Sequence, residues 1–283
     1  IAAALVENKC EVLGMDTSRE VVQKAKDIIT HAIIGDATNR EVLESLAINP
    51  RVKVSAATIA WGAGPTTDAQ WRASRTMADT FQDWLGWMKE GIVDLALPMN
   101  YDREGDANQK KWFDQWVAWE KDHAAGRHLV IGLGAYLNDI EGTLAQTRRA
   151  LAPSAQGNAA QGVSFYSYAA TNAFNLSWER FTRDLTAELF LANVPIPEMS
   201  WKIHPTSGYL KGAAFINSAP ADGALVTLAG PAQRTFTVSG TGFFGAANLP
   251  PGEYSAVLSV GGKTRASARV VVEAGKVAEL KLE

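Results

Sequence analysis

The sequence predicts an α/β fold followed by a C-terminal all-β module. Short apolar runs alternate with amphipathic helical segments up to about residue 190, which is typical of parallel βα units whose strands are buried on both faces. Beyond about residue 203 the pattern changes to short alternating strands separated by Gly, Pro, Asn and Ser. We therefore expect six βα-type parallel strands in an open or incomplete barrel-like sheet, followed by an antiparallel β-sandwich.

The composition of the chain argues against several classes of protein. Of 283 residues, 47% are hydrophobic and 20% are charged, which indicates a globular chain. A net charge of -3 and the lack of a Lys/Arg cluster argue against a nucleic-acid binder. Cys10 is the only cysteine and excludes an internal disulfide framework. No apolar run approaches the roughly 18 residues that a membrane span needs. The chain starts at Ile1 within a helical pattern, so we expect its natural N-terminus to lie upstream.

Two βα units open the chain. Residues 11–16 form a strand-like run that stops at Asp16, and Thr17 or Ser18 then caps a helical segment. A second strand and a short helix follow, in "THAIIGDAT" and "LESLAI". In this order, the four features resemble the nucleotide-binding RCK-type domain of potassium-transport regulators, over residues 1–48.

The resemblance implies a nucleotide site for NAD or ATP. Asp16 would hold the adenosine ribose, and Asp36 and Ala37 of the Gly-Asp-Ala turn would lie near the adenine. An Asp at the carboxyl end of a parallel strand can accept both ribose hydroxyl hydrogens. The glycine-rich turn that lets backbone N–H groups approach a pyrophosphate is absent from the sequence. The alternative is that Asp16 and Asp36 only end strands and cap turns.

Four more strands are expected after Asn49-Pro50, with helices between them. The strands cover about residues 52–61, 93–101, 128–136 and 162–169, and the helices about 68–89, 107–124, 139–151 and 177–190. The segment "NVPIPEM" then forms a linker.

Long phrases of this region resemble the C-terminal half of a family-10-like glycosylhydrolase (β/α)8 barrel, over about residues 49–190. They are "NPRVKVSAATIAWGAGP", "FQDWLGWMKEGIVDLALPMNYDRE", "WFDQWVAWEKDHAAGRHLVIGLGAYLN" and "GVSFYSYAATN". The resemblance implies that these are the last four strands of eight, with the site at their carboxyl ends.

The residues at those ends suit a sugar. Aromatic rings stack on the apolar faces of pyranoses, and amide or carboxylate groups bond hydroxyls. The candidate substrate-binding residues are Trp61, Asn100, Tyr101, Tyr136, Asn138, Tyr166 and Tyr168. The spacing of Trp112, Trp116 and Trp119 instead favours helix packing.

Asp102 and Glu104 are the candidate catalytic pair. Glycoside hydrolysis uses two carboxyl groups, about 5–5.5 Å apart for retention or about 6.5–9.5 Å for inversion. In related barrels, acids on earlier strands also contribute, and those strands are missing from this chain. The alternative is a solvated loop in which these acids pair with Arg103. No cofactor is needed for this chemistry, and the four scattered histidines predict no metal site.

The phrases "DGALVTLAG" and "GTGFFGAANLPPGEYSAVLS" resemble carboxypeptidase-regulatory-like, prealbumin-type β-sandwiches. Such modules serve as spacers or accessory domains of secreted enzymes. We therefore expect three parts: an RCK-type segment at 1–48, a half barrel at 49–195 and a sandwich of about seven strands at 203–283.

Three functional hypotheses remain open. The first is a glycosyl-hydrolase-like protein that binds or hydrolyses a polysaccharide, incomplete in this chain. The second is a nucleotide-binding regulatory fragment of a potassium-uptake system, and the third is a catalytically silent scaffold or chimera. Residues 49–283 favour a secreted or cell-surface protein, and residues 1–48 a cytoplasmic one. Half a barrel has open sheet edges, which predicts self-association.

Overall fold

The computed structural model describes residues 13–16, 18–25, 31–34, 45, 47–50 and 52–283. The chain divides into two compact units, one of residues 53–205 and one that combines residues 1–52 with residues 206–283. The three-part division expected from the sequence stays a prediction.

A parallel strand pair lies in the N-terminal segment. Strands β1 (Leu13–Asp16) and β2 (His31–Ile34) pair in register, with Asp16 opposite Ile34. Helix α1 (Arg19–Ala25) connects them, and Ser18 caps it by accepting a hydrogen bond from the backbone N–H of Val21 at 3.4 Å.

A four-stranded parallel sheet forms the centre of the 53–205 unit. Its strands are β3 (Ser55–Ile59), β4 (Leu95–Asn100), β5 (His128–Gly134) and β6 (Gly162–Tyr166), in that spatial order. The expected single sheet of six strands is therefore wrong for the described residues, because β1 and β2 pair with each other in a separate sheet. Within the described residues the sheet ends at β3 and β6, so no closed barrel is formed.

Seven α-helices and one 3-10 turn accompany this sheet. They are α2 (Asp68–Arg72), α3 (Arg75–Ala78), α4 (Trp84–Glu90), α5 (Ala107–His123), the 3-10 turn Ala135–Leu137, α6 (Ile140–Leu151), α7 (Trp178–Glu188) and α8 (Ser200–Ile203). The helix expected over about 68–89 is three short helices. Ser74 and Asp83 each cap a new helix start, and Phe81 between them has a φ of 54°.

One face of the sheet is buried against helices. Ala96, Leu129 and Leu133 are fully buried on this face. Phe165 of β6 contacts Phe181 of α7 on the same side, with ring centroids 5.5 Å apart. The apolar helix faces therefore pack on alternate strand residues, as in a βα layer.

Tryptophans extend this core. Trp84 and Trp116 are fully buried, and Trp71 makes edge-to-face contacts with both. The indole N–H of Trp116 donates to the carbonyl oxygen of Gly62 at 2.9 Å, which ties α5 to the loop after β3.

A buried carboxylate lies just before β4. Asp94 is 1% exposed and accepts hydrogen bonds from the Val54 backbone N–H at 2.9 Å and the Trp201 indole N–H at 2.7 Å. The ammonium of Lys202 lies 3.2 Å from the same carboxylate. Asp94 therefore anchors α8 to the amino-terminal end of the sheet.

The C-terminal part contains eight strands. They are β7 (Gly208–Ile216), β8 (Ala219–Pro220), β9 (Leu225–Ala229), β10 (Arg234–Thr237), β11 (Phe243–Leu249), β12 (Gly252–Val260), β13 (Lys263–Val272) and β14 (Val277–Leu282). One sheet has the order β10-β9-β12-β13 and the other β11-β7-β14, with β8 beside β7. The β7–β14 pair is parallel, so the expectation of a wholly antiparallel module is wrong at that pair.

One hydrophobic cluster includes residues from both of these sheets, as in a β-sandwich. Leu210 and Phe244 come from one sheet, and Val226 and Leu258 from the other. The Phe244 ring lies where a Cβ on Gly212 would be, so the missing side chain at Gly212 makes room for it. The family resemblance of this module stays a prediction.

Candidate functional site

Three tyrosines meet at the carboxyl ends of adjacent strands. Tyr101 follows β4, Tyr136 follows β5 and Tyr166 ends β6. The rings of Tyr101 and Tyr166 stack with centroids 5.2 Å apart, and Tyr136 makes edge contacts with both, at 6.2 and 5.7 Å. We call Tyr101, Tyr136 and Tyr166 the tyrosine rim. Tyr136 is 38% exposed and Tyr166 53%, so the rim presents aromatic surface to solvent.

A glycine in β5 makes room for this cluster. Gly134 pairs with Tyr166 in the sheet, and a Cβ on Gly134 would lie 3.0 Å from the Cα and Cβ of Tyr101. The absence of a side chain there lets the two outer rings meet across β5. Burial raises the pKa of Tyr101, with further contributions from Tyr166 and Tyr136, so the phenol of Tyr101 stays uncharged at neutral pH.

Two other predicted aromatic residues make contacts of their own. Trp61 is 43% exposed. The guanidinium carbon of Arg75 lies over its ring, 5.3 Å from the ring centroid. Tyr168 is 81% exposed and packs on Trp178, with centroids 4.9 Å apart. Their roles as substrate-binding residues stay predictions.

Asp102 lies next to the rim with its carboxyl largely buried. It is 9% exposed, and burial together with the charge of Asp106 raises its pKa to about 7. Its backbone carbonyl accepts hydrogen bonds from the side-chain amides of Asn138 and Gln146, both at 2.9 Å. Asp102 is thus held by its main chain and carries a carboxyl that can change protonation near neutral pH.

Glu104 is held in an ion-pair network. Arg149 donates to both of its carboxylate oxygens, and the ammonium of Lys110 lies 2.8 Å from one of them. Arg149 also donates to Asp114 at 2.6 Å. Burial acts to raise the pKa of Glu104, but the bonds from Arg149 and Lys110 outweigh it and hold the pKa below its usual value. These contacts favour a positioning role over a free catalytic carboxylate.

Asn138 connects these two acidic residues. Its side-chain oxygen accepts the backbone N–H of Glu104 at 2.7 Å, and its amide nitrogen donates to Asp102 as described. At 5% exposed, it lies under the loop that carries both acids. The structure therefore places Asn138 as a support of the predicted pair, and direct contact with a substrate stays a prediction.

Asn100 points to the helix side of the sheet. It is fully buried, and its amide nitrogen donates to both carboxyl oxygens of Glu120 on α5, at 3.2 and 3.0 Å. Complete burial raises the pKa of Glu120 to about 8, although the bond from Asn100 opposes the shift and the charge of Asp102 adds to it. Two carboxyl groups with raised pKa values are thus coupled beneath the rim.

Sequence reasoning missed Glu120, Gln146 and Arg149. Glu120 follows Trp116 by four residues and Val117 by three, so it lies on the apolar stripe of α5. A charged residue on such a stripe is the signal that could have identified it. Arg149 is recognisable only from the fold, because its partners Glu104 and Asp114 are far away in sequence.

An open groove lies between the loops that follow β4, β5 and β6. Its volume is about 670 Å³, and its walls include Arg103, Glu104, Leu137, Asn138 and Phe174. Two residues predicted for the site thus contribute to a concave surface of ligand size.

The predicted nucleotide residues are only partly described. Asp16 ends β1, while Asp36 and Ala37 lie outside the described residues. Across the described parts of the chain, no three His, Cys, Asp or Glu side chains are grouped as metal ligands. The helices found in these parts include none with the length and apolar character of a membrane span.

Comparison with protein families gives a match at the N-terminus. The family model described as the TrkA-N domain matches residues 1–60, which is less than half of the chain. The match runs past residue 48 and includes β3. No curated protein matches the chain.

Solved structures match only weakly. A Cellulomonas fimi endo-beta-1,4-mannanase double mutant aligns with 95% of this chain and 64% of its own, at 11% identity and a TM-score of 0.38. The Bacillus anthracis TIE protein aligns with 27% of this chain and 16% of its own, at 23% identity and a TM-score of 0.24. A DUF3823 family protein from Bacteroides ovatus aligns with 27% of this chain and 44% of its own, at 13% identity and a TM-score of 0.22. This chain spans less than two thirds of each of them.

Proposed function

We propose that the 53–205 unit binds carbohydrate at the tyrosine rim. The observation that carries this proposal is the meeting of Tyr101, Tyr136 and Tyr166 at the carboxyl ends of three adjacent parallel strands. Exposed tyrosine rings offer an apolar face to a pyranose and a hydroxyl group to its substituents. A neutral aromatic cluster of this kind favours an uncharged sugar over an anion.

Asp102 supplies the polar partner. Its pKa of about 7 means that a protonated carboxyl is present below neutral pH, able to donate to a sugar hydroxyl or a glycosidic oxygen. In a glycoside hydrolase that proton donor would be the general acid. Glu104, the other predicted catalytic carboxylate, is bonded to Arg149 and Lys110. Binding is therefore the activity that the geometry supports best, and hydrolysis is the finer proposal.

Isothermal titration calorimetry with a panel of neutral oligosaccharides tests the binding proposal. Tyr166→Ala removes the most exposed ring of the rim and should weaken binding about two- to tenfold, since one stacked ring contributes on the order of 0.5–1.5 kcal/mol. Phe190→Ala is the matched control, because Phe190 is 38% exposed, like Tyr136, and lies outside the rim. Equal affinity of the Tyr166→Ala variant and the unmodified chain would show that the tyrosine rim does not bind the oligosaccharide.

Release of reducing sugar tests the finer proposal. Asp102→Asn should abolish any turnover while leaving binding within a few-fold, because Asn keeps the size of the side chain and lacks the transferable proton. Turnover that persists in Asp102→Asn would exclude Asp102 as the acid. Binding without turnover supports a carbohydrate-binding protein.

Nucleotide binding by residues 1–48 is a second candidate, favoured by the TrkA-N match and by the parallel pair of β1 and β2. In this proposal Asp16, Asp36 and Ala37 contact NAD or ATP. Calorimetry with NAD, NADH and ATP tests it: heat that disappears in Asp16→Ala supports the site, and no heat with any of the three excludes it.

A further inference from the structure

The open groove beyond β4, β5 and β6 begins where the tyrosine rim ends. Tyr136 of the 3-10 turn belongs to the rim, and the next two residues, Leu137 and Asn138, line the groove. The rim and the groove are therefore continuous along one turn of the backbone. A ligand that lies on the tyrosine rings can extend into this concave space of about 670 Å³ along the same surface.

Phe174 gives the groove an aromatic wall. It lines the groove from the loop between β6 and α7, and its apolar side chain is 74% exposed. An exposed phenyl ring offers a flat apolar face, on which the apolar face of a pyranose can stack. The groove thus repeats, with one ring, the kind of surface that the rim offers with three.

The loop that carries Phe174 is held by buried polar groups. The side-chain oxygen of Asn172 accepts the backbone N–H groups of Phe174 and Leu176, at 2.9 and 3.0 Å, and Asn172 is only 2% exposed. The backbone N–H of Ala173 donates to the carbonyl oxygen of Asn138 at 2.8 Å, which ties this loop to the turn after β5. A ring that is presented from a fixed backbone costs less ordering entropy when a ligand binds.

Other walls of the groove carry hydrogen-bonding groups of both kinds. Arg103 is exposed, and its guanidinium, which donates to the carbonyl oxygen of Leu137 at 3.5 Å, has only donors. Glu141 is exposed in the first turn of α6, and its carboxylate has only acceptors. A sugar hydroxyl both donates and accepts, so a ligand with several hydroxyls can use both residues. Four acidic residues and one basic residue line the groove, which disfavours an anionic ligand.

We propose that the open groove is a second sugar subsite, which takes the next units of an oligosaccharide whose first unit stacks on the tyrosine rim. Phe174 stacks on a pyranose there, and Arg103 and Glu141 bond its hydroxyl groups. The inference rests on the proposed carbohydrate binding and adds the substrate class to it. That class is a neutral oligosaccharide, because a monosaccharide can occupy only one of the two places.

Isothermal titration calorimetry tests the subsite with series of increasing chain length, from disaccharide to hexasaccharide. The series are cello-oligosaccharides, manno-oligosaccharides and N-acetylated chito-oligosaccharides. In the unmodified chain, the hexasaccharide of a series that binds should have a dissociation constant about two- to tenfold below that of its disaccharide, since one stacked ring is added. Phe174→Ala should abolish this gain in affinity with chain length, and Phe174→Trp, which keeps a ring, should retain it.

Two further variants separate the groove from the rim and from the rest of the surface. Tyr166→Ala should weaken the binding of every chain length and retain the gain, because it removes a ring of the rim. Phe190→Ala is the matched control and should alter neither, since Phe190 follows α7 and is not part of the groove lining. Circular dichroism and urea unfolding check that each variant is folded.

A gain with chain length that Phe174→Ala loses and Phe174→Trp retains supports the subsite. Equal affinity of the unmodified chain for disaccharide and hexasaccharide overturns it and leaves carbohydrate binding at the rim in place. A gain that persists in Phe174→Ala also overturns it, because the longer ligand then lies elsewhere. Heat from none of the three series contradicts the proposed carbohydrate binding, and this inference with it.

Discussion

Tyr101 and Tyr166 stack with ring centroids 5.2 Å apart, although Tyr101 follows β4, Tyr166 ends β6, and β5 lies between these two strands. Gly134 lies between them and has no side chain to keep them apart. Because the contact spans three strands, it depends on the sheet as well as on the two rings. The stack of Tyr101 on Tyr166 therefore depends on the pairing of β4, β5 and β6.

Gly134→Ala should separate these rings. Its Cβ would lie 3.0 Å from the Cα of Tyr101, so the backbone at Tyr101, directly after β4, would have to shift. We expect a loss of about 1–3 kcal/mol in the free energy of unfolding and weaker oligosaccharide binding. Gly105→Ala is the control, because a Cβ there meets no atom within 4 Å. Urea unfolding compares the two variants, and equal stability would contradict the close approach.

Asp102 should make stability depend on pH. Its pKa is about 7 in the folded protein and 3.8 as an ordinary aspartate, so between these values the folded state binds a proton that the unfolded chain has released. This stabilisation is fully present below about pH 4 and is lost as the pH rises to about 7. An Asn at this position does not titrate, so the Asp102→Asn variant has no such pH-dependent loss. The free energy of unfolding of the variant relative to that of the unmodified chain should therefore increase from pH 4 to 7 and then level off. Urea unfolding across this range measures the difference, and a constant difference would contradict the shift.

The Glu104–Arg149 pair should contribute measurably to stability. The side chains of Glu104 and Arg149 are 13% and 30% exposed. Arg149 donates two hydrogen bonds to the carboxylate, so water competes less for this ion pair than for an exposed one. A double-mutant cycle with Glu104→Gln and Arg149→Met should give a coupling free energy of about 1–3 kcal/mol. The exposed pair Arg75 and Asp79 is the control and should give less than about 0.5 kcal/mol. A coupling free energy no larger than that of the control pair would show that the Glu104–Arg149 pair contributes no more to stability than an exposed ion pair.

Removal of the Asp94 carboxylate should release α8. Asp94→Ala removes the carboxylate that accepts hydrogen bonds from the Val54 backbone N–H and the Trp201 indole N–H. It also removes the negative charge beside the ammonium of Lys202. We expect a loss of about 3–5 kcal/mol in unfolding free energy and faster proteolysis between residues 189 and 200. Asp79→Ala, at an exposed position, should change neither. Unchanged proteolysis in Asp94→Ala would show that other contacts hold this helix.

Strand and helix positions in the 53–205 unit follow closely from sequence patterns. The strand expected at 128–136 is found at His128–Gly134, and the helix expected at about 107–124 at Ala107–His123, because hydrophobic period and capping residues coincide there. The segment over 68–89 was harder to predict, since Ser74 and Asp83 restart the helix inside one apolar pattern. The pairing of β1 with β2 alone, outside the larger sheet, depends on contacts that periodicity does not encode.

The candidate site was predictable in part for a similar reason. Tyr101, Tyr136 and Tyr166 could be expected together, because parallel strands end at one edge of a sheet. The different surroundings of Asp102 and Glu104 could not be expected, because Arg149 reaches the loop of Glu104 from α6. Charge partners that are far apart in sequence appear only once the strands are in place.

The division of the chain has a consequence for its synthesis. Residues 53–205 form one compact unit from a continuous stretch, whereas the other unit joins residues 1–52 to residues 206–283. On the ribosome, the continuous unit can fold once residue 205 has emerged, whereas residues 1–52 can join residues 206–283 only after those have been translated. Residues 1–52 therefore reach their final surroundings later than the unit that follows them in the chain, and slow translation of residues 206–283 would prolong their exposure to chaperones and proteases.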